Sequence, residues 1–200
     1  MLTKIKESFQ NLVAGLARAA HGLGFTPNAM SALGLALSLA SAAAFYVWGG
    51  VPRLVPLAGV LFLLSGLCDA LDGVMAKIYN EATVFGGILD SVIDRVSEAA
   101  VFLALTLGGL CEPLWGLLAL VGSYLVSYTR SRAEAAGVPM ETVGIAERAE
   151  RIVILVGASF LAPVLGGAMN YGAGLIGLLS FITFGQRLVH AWGRASKRAS

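Results

Sequence analysis

Four aspartates interrupt a stretch of chain otherwise suited to a non-aqueous setting. They are Asp69 and Asp72 in Asp69-Ala70-Leu71-Asp72-Gly73, and Asp90 and Asp94 in Gly86-Gly87-Ile88-Leu89-Asp90-Ser91-Val92-Ile93-Asp94-Arg95. The first two are three positions apart and the second two are four apart, so on helices each pair shares a face. Unpaired carboxylates are costly in apolar surroundings, and the two neighbouring cations, Lys77 and Arg95, are too few for four acids. Divalent ions would balance them, and hard oxygen donors favour Mg²⁺ or Mn²⁺. A site of carboxylates alone suits phosphate, whose oxygens the ions bridge while charge develops during displacement. The chemistry expected is phosphoryl transfer at a membrane surface.

The rest of the chain says what must hold these residues. Hydrophobic residues make up 57% and charged residues 13%, against roughly 25% charged for a soluble domain, which excludes a water-soluble globule. A net charge of +2 with dispersed basic residues excludes nucleic acid as the partner. Cys68 and Cys111 have neither metal-knuckle spacing nor the density of a disulfide scaffold, and read as packing residues. The first 25 residues hold no compact apolar core followed by a small-residue cleavage site, so no cleavable leader is expected. Glycine is frequent, as in closely packed membrane helices. Gly172, Gly174 and Gly177 leave two readings open: a dimer seam, or close packing within one chain.

Apolar periodicity predicts an all-α integral membrane protein with six transmembrane helices and an N-terminal amphipathic helix lying at the interface. The interfacial helix is expected over 3–20, and a six-helix core over 32–190 completes a single domain spanning 1–200. The crossings are predicted at 32–48, 54–79, 82–110, 112–129, 152–165 and 169–188, with a polar stretch over 130–151. Gly49, Gly50 and Pro52 form the first turn, and Thr26 or Asn28 caps the first crossing. With six crossings only Arg53, of 14 Lys and Arg residues, falls on the far side. The positive-inside rule then places both termini and the acidic cluster on the cytoplasmic side of the cell membrane. If the second and third crossings are antiparallel neighbours, all four carboxylates converge near their cytoplasmic ends.

The pattern Asp69-x2-Asp72-Gly73-x2-Ala76-Lys77-x8-Gly86-x3-Asp90-x3-Asp94 resembles the signature of the CDP-alcohol phosphatidyltransferase family. Lys77 stands where that family usually carries arginine; lysine keeps the charge and loses the planar fork. The resemblance implies a site for two metal ions, open to the cytoplasm, in a homodimer embedded among membrane lipids. It implies that Asp69, Asp72 and Asp90 bind metal and that Asp94 joins the metal site and serves as general base. It further implies that Asp69, Gly73, Ala76, Lys77 and Gly86 accommodate a CDP-lipid, either CDP-diacylglycerol or CDP-archaeol. An alcohol would attack the lipid-bearing phosphorus and CMP would leave.

A second polar cluster runs from Ser127-Tyr128-Thr129-Arg130-Ser131-Arg132-Ala133-Glu134 to Gly144-Ile145-Ala146-Glu147-Arg148-Ala149-Glu150-Arg151. Its arginines read either as cytoplasmic anchors paired with Glu134, Glu147 and Glu150, or as an anion pocket that Arg187 completes. Ser127 to Glu134 and Ile145-x-Glu147-Arg148-x-x-Arg151 resemble the branch of the family that makes phosphatidylinositol phosphate or archaetidylinositol phosphate. That resemblance implies inositol phosphate as acceptor, its phosphate held by Arg130, Arg132, Arg148 and Arg187 with Ser127 as hydroxyl partner. Glycerol 3-phosphate is the alternative acceptor. A membrane transporter with buried carboxylates is the alternative from another class, and would string its acids along a route. Thr26-Pro27-Asn28 reads as a helix-entry turn outside the site.

Overall fold

A computed structural model describes residues 2–49, 51–140 and 143–199, with side chains from 10 to 196. Gly50 of the expected first turn lies outside the described residues, as do the side chains of Lys4, Ile5, Lys6, Phe9, Lys197 and Arg198. The described residues form seven helices and no strand: α1 (Leu2–Gly22), α2 (Pro27–Tyr46), α3 (Leu54–Ile78), α4 (Val84–Leu107), α5 (Pro113–Ala135), α6 (Arg148–Leu161) and α7 (Ala168–Ala199).

Local chemistry sets the starts that matter for function. Of the two candidate caps for α2, Thr26 is the one used: its Oγ1 accepts from the Ala29 N–H at 3.2 Å, with Pro27 at the first helical position. Thr83 caps α4 in the same way, accepting from the Gly86 N–H at 2.9 Å. Between α3 and α4 the chain reverses through Asn80, whose φ of 56° is a left-handed conformation that asparagine tolerates. At the head of α6, Glu147 and Glu150 form a reciprocal capping box.

The helices close into a ring. α2 packs against both α3 and α4, α4 continues to α5, α5 to α7, α7 to α6, and α6 returns to α3; α1 lies outside against α3. Phe45, Phe62, Val101, Leu105, Ala119, Leu155 and Ile176, together drawn from α2 to α7, share one buried core. The two acid-bearing helices therefore converge at their ends without packing along their lengths, because α2 sits between them. The reason lies in α2 itself, whose buried face carries Ser31, Gly34, Ser38, Ser41 and Ala42. Such small residues permit close approach on both sides. The Ser41 hydroxyl donates to the Ala58 carbonyl of α3 at 2.7 Å, and the Ser38 hydroxyl to Ser97 Oγ of α4 at 2.9 Å.

Gly172, Gly174 and Gly177 turn toward neighbours in the same chain. A Cβ on Gly172 would press on Ala158 of α6, one on Gly174 would meet Trp115 at 3.2 Å, and one on Gly177 the α5 backbone at 3.3 Å. Their close approach is used in folding the ring.

Several expected boundaries shift, among them the start of α2, which lies at Pro27 and not at 32. α5 continues to Ala135 instead of ending near residue 129, so Arg130 and Arg132 are helical. α6 spans Arg148–Leu161 and not 152–165, because the capping box starts it early and Pro163 lies just beyond its end. α7 runs past residue 188 to Ala199. Among the described residues, α2, α3 and α7 are long and apolar enough to cross a membrane. Large apolar side chains such as Val84, Phe160, Val164 and Leu178 lie exposed, while Glu98, Arg151 and Arg187 are buried. That is the reverse of a soluble protein and fits a lipid surround.

Candidate active site

Asp69 and Asp72 stand in the C-terminal half of α3, Asp90 and Asp94 in the N-terminal half of α4. Carboxylate oxygens of Asp69, Asp72 and Asp90 lie within 4.8 Å of one another. Asp72 is buried and accepts a 2.5 Å hydrogen bond from Ser31 Oγ on α2, so the wedge helix also orients a carboxylate. Asp94 stands beside this trio between two guanidiniums: Arg95 Nη1 lies 3.4 Å from its Oδ2, and Arg148 Nη1 contacts its Oδ1. The same Arg148 nitrogen is 2.8 Å from Asp69 Oδ1.

These Arg148 approaches are ion pairs without hydrogen-bond alignment. Its Nε and Nη1, and Asp94 Oδ1, are buried with no aligned hydrogen-bond partner. Four carboxylates thus face two guanidiniums, and buried polar atoms at their junction are left over. Convergent hard oxygens with surplus negative charge fit divalent cations, and the acids form one knot instead of a file along the helices. The transporter reading loses its geometric basis.

Two cavities flank the knot. The first is bordered by Asp72, Gly73, Ala76, Gly86 and Asp90, with Pro27, Asn28 and Ser31 from the start of α2. A Cβ on Gly73 would meet nothing within 4 Å, so that wall is open. On Gly86 a Cβ would fall 2.9 Å from Thr83 Oγ1 and 3.4 Å from Asn28 Oδ1, so this glycine lets cap and cavity wall close together. Asn28, expected in a helix-entry turn outside the site, borders this cavity, and Ser31 was not singled out from sequence. The available signal was the helical spacing of Ser31, Ser38 and Ser41 in an otherwise apolar segment. Lys77 is exposed and does not border the cavity.

The second cavity, about 120 Å³, is sized for a small polar molecule and not for a lipid tail; Asp94, Ser127, Arg130, Glu147, Arg148 and Arg187 border it. Arg130 donates through Nε to Glu134 at 3.0 Å and reaches within 4.0 Å of Glu147. Arg187 is 2% exposed and already engaged: Nε donates to the Val143 carbonyl at 2.7 Å, Nη1 to the Val126 carbonyl at 2.8 Å and Nη2 to Glu147 at 2.9 Å. Arg132 is exposed and does not border the cavity. Two residues along a helix turn about 200°, so extending α5 through both arginines separates them. Arg148 borders this cavity and the acid knot alike.

Comparison with known proteins decides the class. The family model for CDP-alcohol phosphatidyltransferase matches residues 25–184, which contain the acid knot and all but three residues' length of the arginine-lined segment up to Arg187. The chain belongs to this family. An archaetidylinositol phosphate synthase of Pyrococcus horikoshii is 39% identical over 191 residues, covering 96% of each chain. A phosphatidylinositol phosphate synthase of Mycobacterium tuberculosis, solved with CDP-DAG bound, superposes with a TM-score of 0.76 at 30% identity, covering 91% of this chain and 94% of that one. The same synthase in complex with manganese and citrate gives a TM-score of 0.76 at 30% identity, covering 90% and 88%. As a CDP-alcohol phosphatidyltransferase, the protein is a membrane enzyme of phospholipid synthesis, and its acidic knot is suited to a divalent metal.

Proposed function

We propose that this chain transfers the phosphatidyl-type group of a CDP-lipid to inositol phosphate and releases CMP. The observation that carries the reading is a shared wall: Asp94 and Arg148 border both the acid knot and the arginine-lined cavity. An anionic acceptor in that cavity has its phosphate among guanidiniums and a hydroxyl toward Asp94. The names of the relatives support inositol phosphate, and the CDP-DAG complex supports a CDP-lipid donor. CDP-diacylglycerol and CDP-archaeol are both candidate donors.

Asp69, Asp72 and Asp90, with Asp94 beside them, are the residues that would hold Mg²⁺ or Mn²⁺, and two ions balance four carboxylates. Bound metal supplies neutralisation of the diphosphate and of the departing CMP. Ser31 holds Asp72 in place. Gly73, Ala76 and Gly86 keep one wall low for the nucleotide, and Lys77 meets the donor only from the rim. Asp94 takes the proton of the acceptor hydroxyl. The hydroxyl oxygen bonds to the lipid-bearing phosphorus as the bond from that phosphorus to the bridging oxygen breaks, leaving a phosphodiester and CMP. Ser127, Arg130 and Arg148 hold the acceptor phosphate, with Arg187 fixing the cavity wall behind them; Arg132, on the far side of α5, serves the headgroup surface.

The six ring helices are six crossings of a single domain over 1–200, with α1 as the interfacial helix. The site end carries most of the basic residues and faces the cytoplasm with both termini, and two copies form a homodimer. The chemical test uses purified protein, CDP-diacylglycerol and CDP-archaeol, each with inositol 1-phosphate, free inositol and glycerol 3-phosphate, and follows CMP with and without Mg²⁺ or Mn²⁺. Inositol phosphate gives the fastest metal-dependent release. Faster turnover with glycerol 3-phosphate removes the acceptor assignment and leaves the family standing.

A further inference from the structure

At the inner wall of the anion cavity, which both residues border, Glu98 of α4 and Arg151 of α6 form a parallel, bidentate pair: Arg151 Nε donates to Oε1 at 2.8 Å and Nη2 to Oε2 at 2.9 Å. Each side chain is 3% exposed. Such a pair is an expensive way to stabilise a fold, since burying two charges costs solvation that packed apolar side chains of similar volume do not lose. Its position suggests another use. Glu98 follows Asp94 by four residues and Arg151 follows Arg148 by three, so each lies one helical turn deeper on the same face. Asp94–Arg148 and Glu98–Arg151 are consequently two rungs between the same two helices.

α4 and α6 are not neighbours in the ring. α4 packs on α2 and α5, α6 on α3 and α7, and the anion cavity occupies the gap between them. With no extensive backbone packing to fix that gap, its width is set by the length of the side chains spanning it. Arg151 also donates through Nη1 to the Ala146 carbonyl at 3.2 Å, and the Ala146 N–H donates to Thr183 Oγ1 of α7 at 3.1 Å. The segment leading into Arg148 is tied to the same fork.

We infer that the Glu98–Arg151 pair is a strut that sets the α4–α6 gap, and so positions Arg148 and Asp94 around the phosphorylated acceptor. The pair is a positioning device for acceptor use; the trio Asp69, Asp72 and Asp90 and the cavity beside it, which would hold metal and CDP-lipid, do not touch the pair. This inference rests on the acceptor reading above.

Three variants test it: Glu98→Leu with Arg151→Met, which replaces the pair by apolar packing; Arg151→Lys, which keeps the charge and loses the fork; and Glu98→Asp, which shortens the strut by one methylene. Thermal stability, Mn²⁺ binding, CDP-lipid KM and acceptor KM are measured on purified protein. The double variant is expected to fold, to bind Mn²⁺ and donor within about threefold of wild type, and to raise acceptor KM at least tenfold. The two single variants raise acceptor KM in the same direction. Unchanged acceptor KM in a folded double variant overturns the strut, as does parallel loss of metal, donor and acceptor binding. Should the double variant not fold, wild-type acceptor KM in both single variants overturns it equally. The acceptor reading fails separately, if the wild-type enzyme shows no preference for a phosphorylated over an unphosphorylated alcohol.

Discussion

Replacing Arg148 with glutamine separates acceptor binding from metal binding. Its side chain is 14% exposed, so solvent screening discounts its interactions little. A charge-assisted hydrogen bond contributes roughly 1.5–3 kcal/mol. Arg148 divides its guanidinium between Asp69, Asp94 and the anion cavity, and Arg130 remains in the variant. One such bond to the acceptor phosphate is therefore the loss to expect, and at about 1.4 kcal/mol per tenfold it raises acceptor KM about 10- to 150-fold. The same substitution withdraws a cation from the acid knot, so the Mn²⁺ concentration for half-saturation should fall. The assay is CMP release at saturating CDP-lipid and metal with inositol 1-phosphate varied, alongside direct Mn²⁺ titration of the protein without substrates. A weaker metal site with unchanged acceptor KM would refute the reasoning, because Arg148 would then be organising the carboxylates instead of holding the acceptor. Equal losses with phosphorylated and unphosphorylated alcohols would refute it too.

Asp94→Asn keeps the shape and removes the base; turnover should drop by about 10²–10⁴ while CDP-lipid binding by calorimetry persists, and loss of donor binding alone would count against the assignment. Ser31→Ala deprives buried Asp72 of its 2.5 Å hydrogen bond; partners of metal ligands typically matter by about 10- to 100-fold in affinity, so Mn²⁺ titration should show weakening of that order. Gly73→Val adds a side chain where nothing stands within 4 Å; donor KM should rise with little change in thermal midpoint, whereas a large fall in stability would mean the wall is packed and not open.

The acid knot was legible because its information is local: two helical spacings and a shortage of nearby cations point to one face of each helix and to metal. What periodicity did not reveal was α2 lying between those helices, since which faces meet is decided by small residues whose individual signals are weak. Ser31 shows the cost of that, for a lone serine in an apolar run reads as packing until its partner Asp72 is known. Arg132 lies away from the arginine-lined cavity for a different reason. Charged residues at a helix end look like loop, and the extension of α5 to Ala135 turned Arg130 and Arg132 to different sides. Arg187 could be counted among the cations from sequence, but its engagement with two carbonyls and Glu147 depends on contacts 40 or more residues away.

Charged side chains sit on five of the six ring helices: α3 carries Asp69 and Asp72 and α7 Arg187, although both are apolar enough to cross a membrane by composition, and α4, α5 and α6 carry Asp90, Asp94, Glu98, Arg130, Arg148 and Arg151. A charge on the lipid-facing side of such a helix would be costly, so the charged faces turn into the ring, where Asp72, Glu98, Arg151 and Arg187 are buried. α6 is the extreme case: 14 helical residues rise about 21 Å, short of the roughly 30 Å hydrocarbon core. Its shortness puts the first helical residue, Arg148, below the level where the longer helices end, beside Asp94 and within the shelter of its neighbours. An α6 that started further out would carry its N-terminal arginine away from the carboxylates, so the Glu147–Glu150 capping box that starts the helix also sets Arg148 beside Asp94.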